Sequence, residues 1–508
     1  MNRIGLFSLT ALVPLLAIAA DFVTYEEFGA AGDGKTDDLP AIVAAHAAAN
    51  AKGLPVRVND AKTYYIGATA KTAVIQTDVD FGQAKFIIDD AILPLKDRGH
   101  ALFAIRPSAP SFPVKGVTTL SRNQARLAAT LPGPCLMVAK NRHVKHFIRE
   151  GANQNNGVPQ QETFLVAADG AIDATTPIRQ DLATVSELVA YPLDTKPITV
   201  KGGVFTTIAN QAESRYTYYK RNFLIMRANT TITGLTHLVT GELDHGAPYS
   251  SFLDIQETAD VTIRDCLLTA HKTYYTIGSA GVKVGMGSYD LGANTSIRVS
   301  FVNCRQTTDI NNSAYWGLFG SNFCRDLLLD NCTISRFDAH MGVGNATIRN
   351  SHLGYVGINA IGTGILLVEN TTVEGSSLIN LRSDYGCTWE GEFLIRNCVF
   401  RPRKSPKRPV RLINAWNRGL HDFGYACCMP RKVTLDGLKI EDAQATAAVE
   451  GPFLFADYNN QTTDTAEERF HYHPTEEVVL KDVTTTSGKT LQVCPNPHLF
   501  RNLKITRQ

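Results

Sequence analysis

The segment SRFDAH places Arg336, Asp338 and His340 at alternating positions. In an extended chain these three side chains point the same way. An aspartate beside an arginine stays ionised, and a histidine beside an aspartate has its charged form favoured. One short strand thus offers an acid or base, its partner and a cation. The competing structural role is a turn network in which Asp338 caps a bend and Arg336 pairs with it. Similar groups recur on either side: His271, Lys272 and Tyr275 in AHKTYYT, Asp309 in TTDINN, Asn359 in GYVGINA, and Arg382 with Asp384 in INLRSDYG. Trp316 and Trp389 have the flat faces that stack on sugars, or pack a core. Two reactions suit this set. In β-elimination a base such as His340 or Lys272 removes the proton beside a uronate carboxylate, while Arg336 or Arg382 neutralises that carboxylate. In glycoside hydrolysis two of Asp309, Asp338 and Asp384 act as acid and base or nucleophile.

The elements that must position these residues recur through the second half of the chain. A short phrase, apolar residues followed by Asn or Asp and often Cys, reads VTIRDCLLT from Val261, LLLDNCTIS from Leu327, ATIRNSHLG from Ala346 and FLIRNCVFR from Phe393. Its anchor is Asp265, Asn303, Asn331, Asn350, Asn370 and Asn397, and each copy alternates with the period of a strand. Strands recurring this way imply one strand per coil of a β-solenoid. Two residues before the anchor stand Ile263, Phe301, Leu329, Ile348, Val368 and Ile395; one after it stand Cys266, Cys304, Cys332, Ser351, Thr371 and Cys398. Both sets suit an interior, so the cysteines are expected as stacked free thiols rather than disulfides. The anchor residues are expected to form a buried hydrogen-bonded ladder at a coil corner. Asp309 and Asp338, six and seven residues past their anchors, and His271 with Lys272 at six and seven past theirs, are expected on one edge.

Lys plus Arg (50) nearly balances Asp plus Glu (48), so net charge selects no partner. Residues 1–20 have the layout of a secretory signal peptide: one Arg, an apolar run, then small residues. The mature protein is therefore expected outside the cytoplasm, secreted or periplasmic, with no membrane span once the signal is removed. Residues 21–112 read as an N-terminal cap and first coils, 113–196 as an inserted β subdomain without the repeat, and 197–508 as the remaining coils and C-terminal end. Pro40 to Ala51 is helical in pattern, and Asp37 or Asp38 is placed to cap it. A helix there covers the first unpaired coil.

The stretch FGAAGDGKTDDLPAIVAA resembles the N-terminal cap of right-handed parallel β-helix proteins of the pectate-lyase-like superfamily. That resemblance implies an all-β, right-handed parallel β-helix with an N-terminal capping helix, in a superfamily that hosts polysaccharide lyases, glycoside hydrolases, epimerases and phage tailspikes. Neither catalytic signature matches this chain residue by residue, so the resemblance assigns no catalytic residue. The function expected is an exported enzyme that cleaves a polysaccharide along a groove, with elimination slightly favoured over hydrolysis by an Asp pair. A non-catalytic glycan-binding solenoid is the alternative from another class. Catalysis is assigned to Asp338, His340, Arg336, Asp309, His271 and Lys272, and substrate binding to Tyr275, Asn359, Arg382, Asp384 and Trp316. The partner is a polysaccharide, acidic or neutral, and no nucleic acid is expected. No cofactor or metal motif is present, and the sequence leaves a calcium requirement open.

Overall fold

The computed structural model of the chain describes residues 21–403, 409–445, 451–462 and 468–508. The expected signal peptide lies outside them, as does most of the basic stretch RPRKSPKR, residues 401–408. The architecture is a parallel β-helix. Each strand pairs in parallel with its counterpart one coil later, so Ile263, Phe301, Leu329, Ile348, Val368 and Ile395 align in one interior column. The column continues through Leu435 to Leu480.

The bend at each anchor has a local cause. Asp265, Asn303, Asn331, Asn350, Asn370 and Asn397 all adopt left-handed backbone, with φ between 47° and 55°. Asn and Asp tolerate that region best among residues with a side chain. Their side chains then bond along the corner: the Asn303 amide donates to Asp265 (2.8 Å), Asn331 to Asn303 (2.7 Å) and Asn370 to Asn350 (3.2 Å). Asn350 departs from the pattern and donates to Asp330 (2.9 Å). The ladder is not buried as expected. It runs along the solvent-facing corner, because the left-handed turn points the anchor side chain outward as the next residue turns in.

That next residue forms the interior column. Cys266, Cys304, Cys332 and Cys398 are buried free thiols, as are Cys135, Cys324, Cys387 and Cys427. The Cys332 sulfur accepts from the Cys304 N–H (3.4 Å), the Ser351 hydroxyl from Cys332 (3.1 Å), and Thr371 from Ser351 (3.3 Å). A small side chain able to accept this bond is what Cys, Ser and Thr share. Gln306, a buried polar residue three past its anchor, is satisfied inside: its Oε1 accepts from the Ser335 N–H and hydroxyl (3.1 and 2.9 Å).

The helix Leu39–Lys52 lays Leu39, Ile42, Ala45 and Ala49 on the first coil. Asp38 occupies its N-cap, yet its carboxylate turns back to accept from Ala31 and Gly32 (2.7 and 3.1 Å). Asp37 meets the Leu39 N–H instead (3.2 Å). No helix among the described residues is long and apolar enough to cross a membrane.

Between the early coils the chain leaves the solenoid. Phe112–Pro113, Cys135–His146, Val158–Val166 and Glu187–Pro192 form a separate four-stranded antiparallel sheet. One face has its own core, including Met137, Phe164, Ile178 and Leu188. On the other face Leu136, Val138 and Leu165 pack on Ala259 and Ile297 of the solenoid. Strand alternation explains this double use: odd and even residues of Cys135–His146 serve opposite faces. The docking carries the connection after His146 across to a later coil, where Ile148 bonds Phe423 (3.1 Å) and Glu150 bonds Asp384 (3.0 Å).

Candidate active site

Within the long strand Thr333–Arg349, Phe337 and Ala339 enter the solenoid core, which turns Arg336, Asp338 and His340 to the opposite side. Asp338 pairs in register with Asn359, Asn359 with Asn380, and Asn380 with Asn414. In the other direction Ser321 pairs with Ala339, setting Gly320 beside Asp338. Gly320 continues through Gly292 to Asp254. Two carboxylates therefore bracket a two-glycine trough on one face.

The trough is the floor of a cavity of about 390 Å³, lined by Arg149, Tyr218, Lys220, Asp254, Trp316, Arg336, His340 and Arg382 among others. Glycine is required in the floor. A Cβ on Gly320 would come within 2.8 Å of the Tyr289 ring, and one on Gly292 within 2.2 Å of the Ser251 hydroxyl.

At one end lies a chain of alternating charges. Asp338, fully buried, accepts from Arg382 with both oxygens (3.1 Å each) and from the Tyr289 hydroxyl (3.3 Å), and Arg336 Nε lies 3.3 Å away. Arg382 also holds Asp384 (2.7 Å), which Arg149 of the inserted region grips from the other side (2.7 Å). Burial alone would raise both carboxyls. The arginines outweigh it: Arg382 and Arg336 hold Asp338 below the usual carboxylate range, and Arg382 and Arg149 do the same for Asp384. The Arg336 guanidinium lies over Trp316 (4.3 Å to the ring centre) and donates to its carbonyl (2.9 Å).

His340 contradicts the expectation that a neighbouring aspartate favours its charged form. Burial first, then repulsion from Arg382, pushes its pKa down to about 4, because the charge of Asp338 is already engaged by two arginines. The Asn322 amide donates to Asn294 (2.7 Å), leaving Asn322 Oδ1 to accept from His340 Nδ1 (2.7 Å). That bond fixes the proton on Nδ1 and leaves Nε2 with a lone pair.

At the other end burial pushes Asp254 up to about 7 against the opposing charge of Lys220, and Gln256 donates to it (2.7 Å). Burial likewise raises the Tyr218 phenol, so it keeps its proton.

Arg336, Asp338, His340, Arg382, Asp384 and Trp316 thus come together, with Asn359 one coil from Asp338. The other candidates do not join them. Asp309 sits in an exposed turn, accepting from the Asn311 N–H (2.9 Å). The coil after Asn303 makes a loop excursion before its next strand, Phe319–Asn322, so equal offsets from the anchors do not mean equal positions. His271 is sealed inside, its ring nitrogens 3.1 Å from Glu242 and 3.1 Å from Asp290. Lys272 folds back on Glu242, its Nζ donating to that residue's carbonyl (3.1 Å). Tyr275 lies exposed on the hairpin Tyr274–Ile277/Lys283–Met286, under the Lys283 ammonium (4.8 Å). Trp389 is core, its indole N–H donating to Gly364 (2.9 Å). Arg149, Tyr218, Tyr289, Asp254 and Asn322 were missed. Asp254 carried a signal, a lone charge between the apolar residues of FLDIQ; Arg149 carried none.

No protein-family model matches the chain, and no curated protein sequence does. Among solved structures it is similar to the tailspike gp61 of Pseudomonas phage phi297, at 12% identity and a TM-score of 0.50 over 96% of this chain and 84% of that one. It is also similar to the tailspike gp49 of Pseudomonas phage LKA1, at 14% identity and a TM-score of 0.48 over 91% of this chain and 81% of that one. At such identities the likeness to gp61 is one of fold. The resemblance of the N-terminal cap therefore holds for the β-helix architecture, not for a family.

Proposed function

We propose that this protein cleaves an acidic polysaccharide by β-elimination in the Arg149–His340–Arg382 cavity. The observation that carries the reading is His340: a neutral imidazole whose Nδ1–H is committed to Asn322, with Nε2 free to accept a proton, amid guanidinium groups. Three arginines face two ionised aspartates here, so the cluster carries a net positive charge that suits a uronate carboxylate. In the reaction His340 Nε2 takes the proton from the carbon bearing that carboxylate. The electron pair forms the new carbon–carbon double bond as the glycosidic C–O bond breaks. The departing oxygen takes the Tyr218 phenolic proton. Arg336, steadied on Trp316, offsets the negative charge that develops on the carboxylate.

Hydrolysis by an Asp pair is less well supported. It needs one carboxyl protonated, whereas Asp338 and Asp384 are both held ionised by arginine. Of Asp254, Asp338 and Asp384, only Asp254 is pushed up, to about 7. It stands three coils from Asp338, roughly 14 Å at the usual strand spacing, well beyond the about 5–9.5 Å of glycosidase pairs.

The test is to incubate the protein with acidic and neutral polysaccharides and follow reducing ends and ultraviolet absorbance together. Elimination gives both in proportion on uronate substrates. Reducing ends without absorbance would replace it with hydrolysis, and tight binding without products would leave a glycan-binding protein.

A further inference from the structure

Segments beyond the strands of the site also line the cavity, and they bond to one another across it. The hairpin Tyr274–Ile277/Lys283–Met286 rises from the solenoid, and its Val284 and Gly285 form one wall. Its tip does not end in solvent. The Ala280 N–H donates to the Ala152 carbonyl (3.1 Å) and the Ser279 hydroxyl to the Gln154 carbonyl (2.6 Å). Gly278 packs so tightly there that a Cβ would lie 2.2 Å from the Ala152 oxygen. From the same loop the Asn153 amide donates to the Tyr216 hydroxyl (2.8 Å), and Arg149 ties the loop's base to Asp384. Hairpin, inserted loop and the Tyr216 segment form a continuous hydrogen-bonded bridge, and Asn153 and Tyr216 both line the cavity.

An open groove lets an enzyme settle on the middle of a polymer. A bridged cavity of about 390 Å³ does not, because a long chain cannot be laid in from the side. We infer that the bridge formed by Gly278, Ser279, Ala280 and residues 152–154 restricts the site to the ends of polysaccharide chains and to short oligosaccharides. This rests on the proposed cleavage of an acidic glycan and goes further by naming the part of the substrate that enters.

The test compares the wild type with Gly278→Val, in which the new side chain must push the Ala152 carbonyl away, and with the milder Ser279→Ala, which removes one bond of the bridge. Product size is followed from the first percent of bonds cleaved. The wild type is expected to release only small fragments while the bulk of the polymer keeps its mass. Gly278→Val is expected to shift the earliest products to a broad range of sizes while still cleaving short oligosaccharides, with Ser279→Ala shifted in the same direction to a smaller extent. Broad early products from the wild type would overturn the inference and leave the cleavage reading intact. A wild type that binds but never cleaves would remove the cleavage reading instead. The inference is then decided by binding: one protein per chain end whatever the polymer length supports it, and several proteins along each chain overturn it.

Discussion

His271 and His340 belong to similar polar stretches two coils apart, and the fold gives them opposite chemistry. His271 is held between two carboxylates, each 3.1 Å away, with its ring stacked on Tyr249 (4.7 Å). Burial alone would lower it, but Asp290 and Glu242 win and raise it to about 10. His340 faces an amide on one nitrogen and arginines nearby, and falls to about 4. His271 is fully buried and His340 half-buried at the cavity wall, yet burial by itself would lower both, so depth does not explain the opposite directions. The charge nearest each ring does: two carboxylates bonded directly to the nitrogens of His271, and at His340 an aspartate already neutralised by arginines. A buried imidazolium with both nitrogens engaged is a structural cation, while a neutral ring with one open nitrogen can take a proton.

The comparison breaks most directly at His340. His340→Ala is expected to lower cleavage by about 10²–10⁴-fold, the usual contribution of a general base, with no such loss for His271→Gln. The pH profile sharpens this. The base is active when neutral, so the rate should rise through pH 4 and owe no further limb to His340. A loss of activity from His271→Gln equal to that from His340→Ala would erase the distinction.

Asp338→Asn tests where the negative charge is spent. It leaves Arg336 and Arg382 facing each other without their shared counter-ion, and removing one partner of a buried pair costs about 3–5 kcal/mol. A marked fall in the thermal midpoint is expected, together with a change in the pH at which the rate rises, since the field around His340 changes.

His271 should reveal itself in stability against pH. Its folded pKa lies above its ordinary value of 6.5, so its contribution is complete below about pH 6.5 and disappears as pH rises through about 10. Asp290 shares this interaction with a second histidine: burial would raise it, but His237, 2.7 Å away, and then His271 lower it. Pulled down to about 2, it contributes above about pH 4 and ceases to do so as pH falls through 2. His271→Gln should flatten the alkaline decline and lower stability at neutral pH by about 2–3 kcal/mol, the scale of a hydrogen bond to a charged group. Melting curves between pH 6 and 10.5 measure both.

The smallest effect is expected at the corner ladder, far from either histidine. Asn331→Ala loses the amide bond and strains a left-handed residue, at about 1–2 kcal/mol. Asn331→Gly keeps the backbone at ease and should cost less. Neither should alter cleavage.

Much of this was written in the chain. The anchor residues announced the coil corner because few side chains accept a left-handed turn, and the alternation around them fixed which residues face inward. The Cys, Ser and Thr positions followed from the same register. Within the site, Arg336, Asp338 and His340 could be assigned to one face from strand period alone, and Arg382 with Asp384 belonged to a coil close enough to reach them.

The sequence did not determine which coils lie level at the site, nor the charge each ring meets. Loop excursions of unequal length separate the strands, so Asp309, although matched in its distance from the anchor, ends in a surface turn. The level it was expected to occupy is taken by Gly320. Arg149 reaches Asp384 from 235 residues away because the inserted sheet docks on Ala259 and Ile297. Local periodicity is a property of a short segment and can be read from it. The protonation of His340 depends on the sum of burial and of charges brought in from distant coils, and only the folded chain brings them together.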